Sequence, residues 1–167
     1  MMKIQLGSLS EGVHEYDFKA TAEDLDLEDS FPGGASVQVV LEKTGNQIAL
    51  EGSIRAEGRF LCDRCAGEFS LPLEDSYRMY YVTEGGGFEG IDPSELQMIP
   101  SASGSVDITD DVRQTLLLAV PFKLLCTDQC KGLCPHCGKN LNDETCSCTG
   151  SGDDTRWEAL KALRGID

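Results

Sequence analysis

Six of the eight cysteines fall between Cys126 and Cys148, spaced Cys126-x3-Cys130-x3-Cys134-x2-Cys137-x8-Cys146-x-Cys148; the other two form Cys62-Asp63-Arg64-Cys65. Thiolates at such spacing can hold a metal ion: zinc takes four sulfurs tetrahedrally at about 2.3 Å, and short turns bring two of them in from one side. Cys134-Pro135-His136-Cys137-Gly138 reads as a zinc knuckle, in which proline and glycine let backbone N–H groups approach the sulfurs. The expected closed shell is Cys134, Cys137, Cys146 and Cys148, bridged by the polar loop KNLNDET. Cys62, Cys65, Cys126 and Cys130 are then left for a second shell, which would clip the cysteine segment onto the hairpin. An alternative shell takes Cys126, Cys130, Cys134 and Cys137 around one ion. Iron–sulfur ligation is the other metal chemistry compatible with these thiols. His136, inside the knuckle, reads as a solvent-facing filler.

Cys62 and Cys65 also admit a redox reading. A thioredoxin-like pair needs its first cysteine at a helix N-terminus, and no helical pattern follows here. Packing the thiols as small apolar groups at a hairpin end is a third reading. No run of eighteen apolar residues occurs, and Met1 to Ser10 lacks a basic start followed by an apolar stretch. These features predict a soluble cytoplasmic protein, where clustered thiols more often bind metal than form disulfides.

The elements that must position these residues are legible from hydrophobic period. Lys3 to Leu6 and Val13 to Phe18 are short strand candidates; beyond them Thr21 and Asp24 resemble a helix-capping pair, in a stretch, TAEDLDLED, that is short for a helix. From Ser36 to Val82 apolar residues recur at every second position, among them Val37, Val39, Leu41, Ile48, Leu50, Ile54 and Phe60, then Leu71, Leu73, Tyr77, Met79 and Tyr81. Gly45-Asn46 makes one reversal and the Cys62 to Cys65 stretch the next. Thr83 to Asp111 carries seven acidic residues and no Lys or Arg, and a mobile acidic loop is expected over about 83–107. Thr109 is the expected cap of a helix that holds Val112, Leu116 and Ala119 on one face and stops at Pro121. DDTRWEALKALR near the end predicts an amphipathic terminal helix with Trp157, Leu160 and Leu163 on its apolar stripe. The expected class is α+β: an antiparallel β meander, partly closed into a barrel, with a packed helix over 1–120, followed by a cysteine-rich zinc-binding segment and terminal helix over 121–167.

Charge bears on partners. The formal net charge is −15, and it belongs to the body: eight basic and twenty-two acidic residues through Val120, six and seven thereafter. An acidic body repels phosphate backbones, which directs any ribonucleoprotein role toward a basic protein partner unless a local patch overrides the total. A four-cysteine shell leaves zinc no open position for activated water, and His14 and His136 are the only imidazoles. No spacing of carboxylates suggests a paired acid and base, so a binding module is expected rather than an enzyme.

CDRC at Cys62 to Cys65, the run DVRQTLLLAVPFKLLC, then CKGLCPHCGKNLN and DDTRWEALKAL resemble the YceD family, large ribosomal RNA subunit accumulation proteins. The resemblance implies a role in synthesis, processing or stability of large-subunit ribosomal RNA, with a large-subunit ribosomal protein or pre-ribosomal particle as partner and direct rRNA contact as a further option. It also implies that Cys62, Arg64 and Cys65 are the partner-binding residues, since some family members keep the hairpin and lack the later cluster.

Overall fold

A computed structural model describes residues 1–7, 9–82, 91–92, 95–99 and 104–148. The elements run β1 (Lys3–Gln5), β2 (Gly12–Ala20), α1 (Ala22–Leu25), β3 (Ala35–Thr44), β4 (Gln47–Leu61), β5 (Glu68–Val82), β6 (Leu96–Met98), β7 (Ser105–Asp107) and α2 (Thr109–Ala119). Strands β2 to β5 form an antiparallel meander, β6 adds to β5 in parallel, and β1 pairs with β7 in a separate two-stranded ribbon.

The period-two pattern is expressed as two faces. Val37, Val39 and Leu41 of β3 and Ile48, Leu50 and Ile54 of β4 point to one side and are buried there with Tyr81 of β5. That side is covered by α2, through Val112 and Leu116, and by Met2, Ile4, Leu25 and Phe31. The opposite face carries Glu42, Glu51, Arg55, Glu57, Glu74 and Arg78 to solvent, with ion pairs Arg55–Glu74 at 2.8 Å and Arg78–Glu51 at 3.5 Å. Directly opposed strand residues are cross-strand neighbours, so Gly52 leaves the space that the Tyr77 ring fills.

Among the described residues the expected barrel closure does not occur. The five-stranded sheet has the order β2-β3-β4-β5-β6, with β2 and β6 as open edges. Closure needs a strand to bridge those edges; β6 has only three residues, and β1 is used up pairing with β7. Alternation reports one buried face, and a helix-covered open sheet satisfies it as well as a barrel does.

Two helix expectations change in detail. α1 is a single turn with a complete capping box between Thr21 and Asp24, ended by Asp26 in the left-handed region at φ 53°. α2 is not capped by Thr109, which is already its first helical residue. Instead the Asp107 carboxylate accepts the Thr109 N–H at 3.0 Å and its hydroxyl at 2.6 Å, so a residue in β7 caps the next element. Within the stretch expected to be a mobile loop, the described residues include β6 and β7. The expected terminal helix with Trp157 lies outside the described residues.

The β4–β5 hairpin is what positions the site. Its fifteen-residue arms stay in register from Gln47↔Val82 to Leu61↔Glu68, which carries the Cys62 to Cys65 turn to the far end of the sheet.

Candidate metal centres

The Cys62 turn is closed by backbone hydrogen bonds from Cys62 N–H to Gly67 O at 2.9 Å and from Ala66 N–H to Cys62 O at 2.8 Å. Ala66 takes the left-handed conformation, φ 54°, which the residue after a knuckle's second cysteine needs to let amides turn back toward sulfur. Gly138 holds the same place after Cys137, at φ 73°.

Cys126 and Cys130 meet this turn from the other side. The Sγ atoms of Cys62 and Cys130 are 3.7 Å apart and those of Cys65 and Cys126 3.8 Å, and all four lie within 4.8 Å of one another. Four sulfurs about 2.3 Å from a central ion stand about 3.8 Å apart at tetrahedral angles. The geometry therefore suits one ion. Cys62, Cys65 and Cys130 are buried, with Phe69 and Leu125 packed beside them.

Hydrogen bonds from the turn's middle residues hold the cysteine segment in place. Asp63 N–H donates to Leu124 O at 2.8 Å, and its carboxylate accepts Leu124 N–H at 2.7 Å. Leu133 N–H donates to Arg64 O at 3.1 Å. The Arg64 guanidinium donates to Cys130 O at 2.9 Å and Asp128 O at 3.4 Å. Gly132, at φ 75°, passes so close that a Cβ there would sit 2.9 Å from Arg64 O. Arg64 is exposed, yet its side chain already has these carbonyl partners.

The second group is Cys134, Cys137, Cys146 and Cys148, whose sulfurs also lie within 4.8 Å of one another. Cys146 Sγ is 3.3 Å from Cys134 Sγ and 3.5 Å from Cys137 Sγ. The knuckle turn is closed by Gly138 N–H to Cys134 O at 2.9 Å and by Cys134 N–H to Lys139 O at 2.8 Å. His136 contributes its backbone N–H to Cys134 Sγ at 3.5 Å, and its imidazole belongs to neither group. The one-residue gap at Cys146-Ser147-Cys148 is accommodated by a turn in which Cys148 N–H donates to Cys146 Sγ at 3.2 Å. This cage is the more open one, with Cys137 and Cys148 exposed. The alternative set of Cys126, Cys130, Cys134 and Cys137 is divided between the two groups.

Sulfur protonation follows the local donors. A backbone N–H from Cys126 is the main reason the Cys62 thiol falls to about 6, and those of Cys137 and His136 bring Cys134 to about 6 as well. Cys126 is pushed up to about 12, chiefly by its hydrogen bond with the Cys130 sulfur, and Cys148 to about 12 by its bond with Cys146. Each group thus mixes sulfurs that readily lose a proton with sulfurs that hold one by sharing it. A divalent cation at the centre is what would make all four thiolate together.

Asn142 and Asp63 have roles that cysteine spacing does not announce, whereas Gly132, expected like Gly138 to ease a turn that a side chain would block, does so at φ 75°. Asn142 sits in the KNLNDET loop of the second cage, yet its amide donates to Cys130 Sγ of the first at 3.3 Å. An asparagine at the centre of a loop between two cysteine pairs was the available signal.

Two curated plant proteins are similar to this chain. The protein named large ribosomal RNA subunit accumulation protein YCED homolog 1, chloroplastic, of Arabidopsis thaliana is 27% identical over 192 residues, covering 97% of this chain and 59% of that protein. The protein of the same name from Zea mays is 28% identical over 156 residues, covering 78% of this chain and 52% of the relative. The chain thus spans between half and three-fifths of the length of these relatives. No solved structure matches it. Among the described residues, no helix is long and apolar enough to cross a membrane. Residues 50–164, from near the start of β4 through both cysteine groups, match the family model described as large ribosomal RNA subunit accumulation protein YceD, and the chain belongs to that family.

Proposed function

We propose that this chain is a non-catalytic factor in large-subunit ribosomal RNA accumulation, a zinc-stapled binding module for a basic component of the pre-ribosomal particle. The observation that carries the reading is the pair of four-sulfur groups, each closed on itself and each at single-ion spacing. Zinc fits this donor set and spacing, and the same spacing leaves no room for a cluster of several iron atoms. With every ligand position taken by sulfur, the chemistry zinc supplies is structural: it fixes a segment with few apolar residues of its own. The chain's own contribution is a hairpin end on which Asp63 and Arg64 hold that segment. The net charge of −15 favours a large-subunit ribosomal protein over bare RNA as the direct contact.

Crosslinking in cells, with identification of bound RNA and protein, tests this reading. Salt-sensitive recovery of a large-subunit ribosomal protein is the expected result. Normal ribosome profiles and precursor RNA in a deletion strain would defeat it. A second reading is a thiol redox protein or sensor using Cys62 and Cys65, whose sulfurs lie within 4.8 Å of each other. That reading requires mild oxidant to link these two cysteines in metal-loaded protein.

A further inference from the structure

Asn142 belongs by sequence to the second cage and by contact to the first. It lies between Cys137 and Cys146, in a loop closed by Glu144 N–H to Asn140 O at 3.0 Å, Asn140 Nδ2 to Asp143 Oδ2 at 2.7 Å and Lys139 Nζ to Glu144 Oε2 at 2.8 Å. Asn140 orients the Asn142 side chain, because its Oδ1 accepts both Asn142 N–H at 3.1 Å and Nδ2 at 2.8 Å. Nδ2 also donates to Cys130 Sγ at 3.3 Å, and Oδ1 accepts the N–H of Lys131, the residue after Cys130, at 2.8 Å. Leu141 N–H adds a bond to Gly132 O at 2.9 Å. The loop's geometry depends on Cys137 and Cys146 converging on one centre, while its polar tip serves a sulfur of the other.

We propose that the two metal cages are thermodynamically coupled, with Asn142 as the positioning residue that carries the coupling. The proposal rests on the reading that both cages bind metal. A metal-bound thiolate keeps excess negative charge, and an amide N–H aimed at it stabilises that charge and opposes protonation and dissociation. Metal in the second cage fixes the loop and so presents Nδ2 to Cys130. Linkage makes the effect reciprocal: an occupied first cage, by fixing Cys130 and Lys131, holds the loop in the shape the second ion needs.

The test uses the full chain and zinc, reading first-cage affinity by competition with a chromogenic chelator and stoichiometry by native mass spectrometry. Four proteins are compared: unmodified, Asn142→Ala, Cys146→Ser and the double variant. Asn142→Ala leaves all eight ligands in place and is expected to weaken the first cage about tenfold, the low end for loss of such a supporting hydrogen bond. Cys146→Ser, which disables the second cage, is expected to weaken the first by a similar factor. The double variant should be no worse than either single one, because both remove the same interaction. Unchanged first-cage affinity in Asn142→Ala, or effects that multiply in the double variant, would overturn the coupling while two ions still bind. Fewer than two ions in the unmodified chain would overturn the two-cage reading, and the coupling with it.

Discussion

Gly132→Ala and Gly138→Ala form a matched pair that measures how much the docking of the cysteine segment on the hairpin contributes. Both glycines have left-handed backbones, φ 75° and 73°, so alanine costs about 1–2 kcal/mol of backbone strain at either place. Their surroundings differ. Among the described residues a Cβ at Gly138 meets nothing within 4 Å, whereas one at Gly132 would lie 2.9 Å from Arg64 O and 3.4 Å from Arg64 Cβ. Backbone cannot swing aside as a side chain can, so the two chains must separate. Separation stretches the bonds from Leu133 N–H to Arg64 O and from the Arg64 guanidinium to Cys130 O, each contributing about 1 kcal/mol. Gly132→Ala is therefore expected to cost about 3–4 kcal/mol and Gly138→Ala about 1–2 kcal/mol. Denaturant unfolding of zinc-loaded protein measures the difference, and zinc transfer from the first cage to a chelator should accelerate in Gly132→Ala alone. Equal destabilisation within about 0.5 kcal/mol would refute the claim that close approach to Arg64 holds the segment in place.

Ala66 occupies a left-handed position suited to glycine, so Ala66→Gly should stabilise the protein by about 0.5–1 kcal/mol in the same unfolding assay, opposite in sign to Gly138→Ala. Gly52→Ala would drive a Cβ into the Tyr77 ring on the helix-covered face and should lower stability by about 1–3 kcal/mol, with a matching fall in the thermal midpoint. Zinc affinity should fall on acidification, and loading should release protons in a weakly buffered titration, because Cys126 and Cys148 hold theirs up to about 12 until a cation displaces them. Burial raises the Asp111 carboxyl above its ordinary 3.8, with Asp110 and Asp107 adding to the effect. A raised carboxyl gives stability that is present below the unfolded value and lost as pH rises through the folded one. Asp111→Asn should therefore raise the unfolding midpoint at pH 7, with the gain fading below about pH 4.

The buried face was legible residue by residue, because alternation is a local property: Val37, Val39, Leu41, Ile48, Leu50, Ile54 and Tyr81 were named from spacing and are buried on one side. The two-residue turn at Gly45-Asn46 and the hairpin end at Cys62 to Cys65 were legible for the same reason. Thr109 stands one position inside the helix rather than at its cap, because Asp107, in a strand too short to show a period, accepts both its N–H and its hydroxyl. Strands β6 and β7, three residues each, are too short to carry a period, and β7 depends on β1, at the other end of this domain's sequence.

By itself the sequence determined which residues can face a core, where the chain reverses, and that its thiols come in close pairs able to bind metal from one side. The tertiary structure decided how those pairs combine. Cys62 lies 68 residues before Cys130 and Cys65 61 before Cys126, so spacing alone allows several shells. The choice is made by backbone hydrogen bonds of Asp63, Arg64 and Leu133, groups that nearly every residue carries and composition therefore cannot flag. Open sheet against closed barrel was decided the same way, by which edges find a partner.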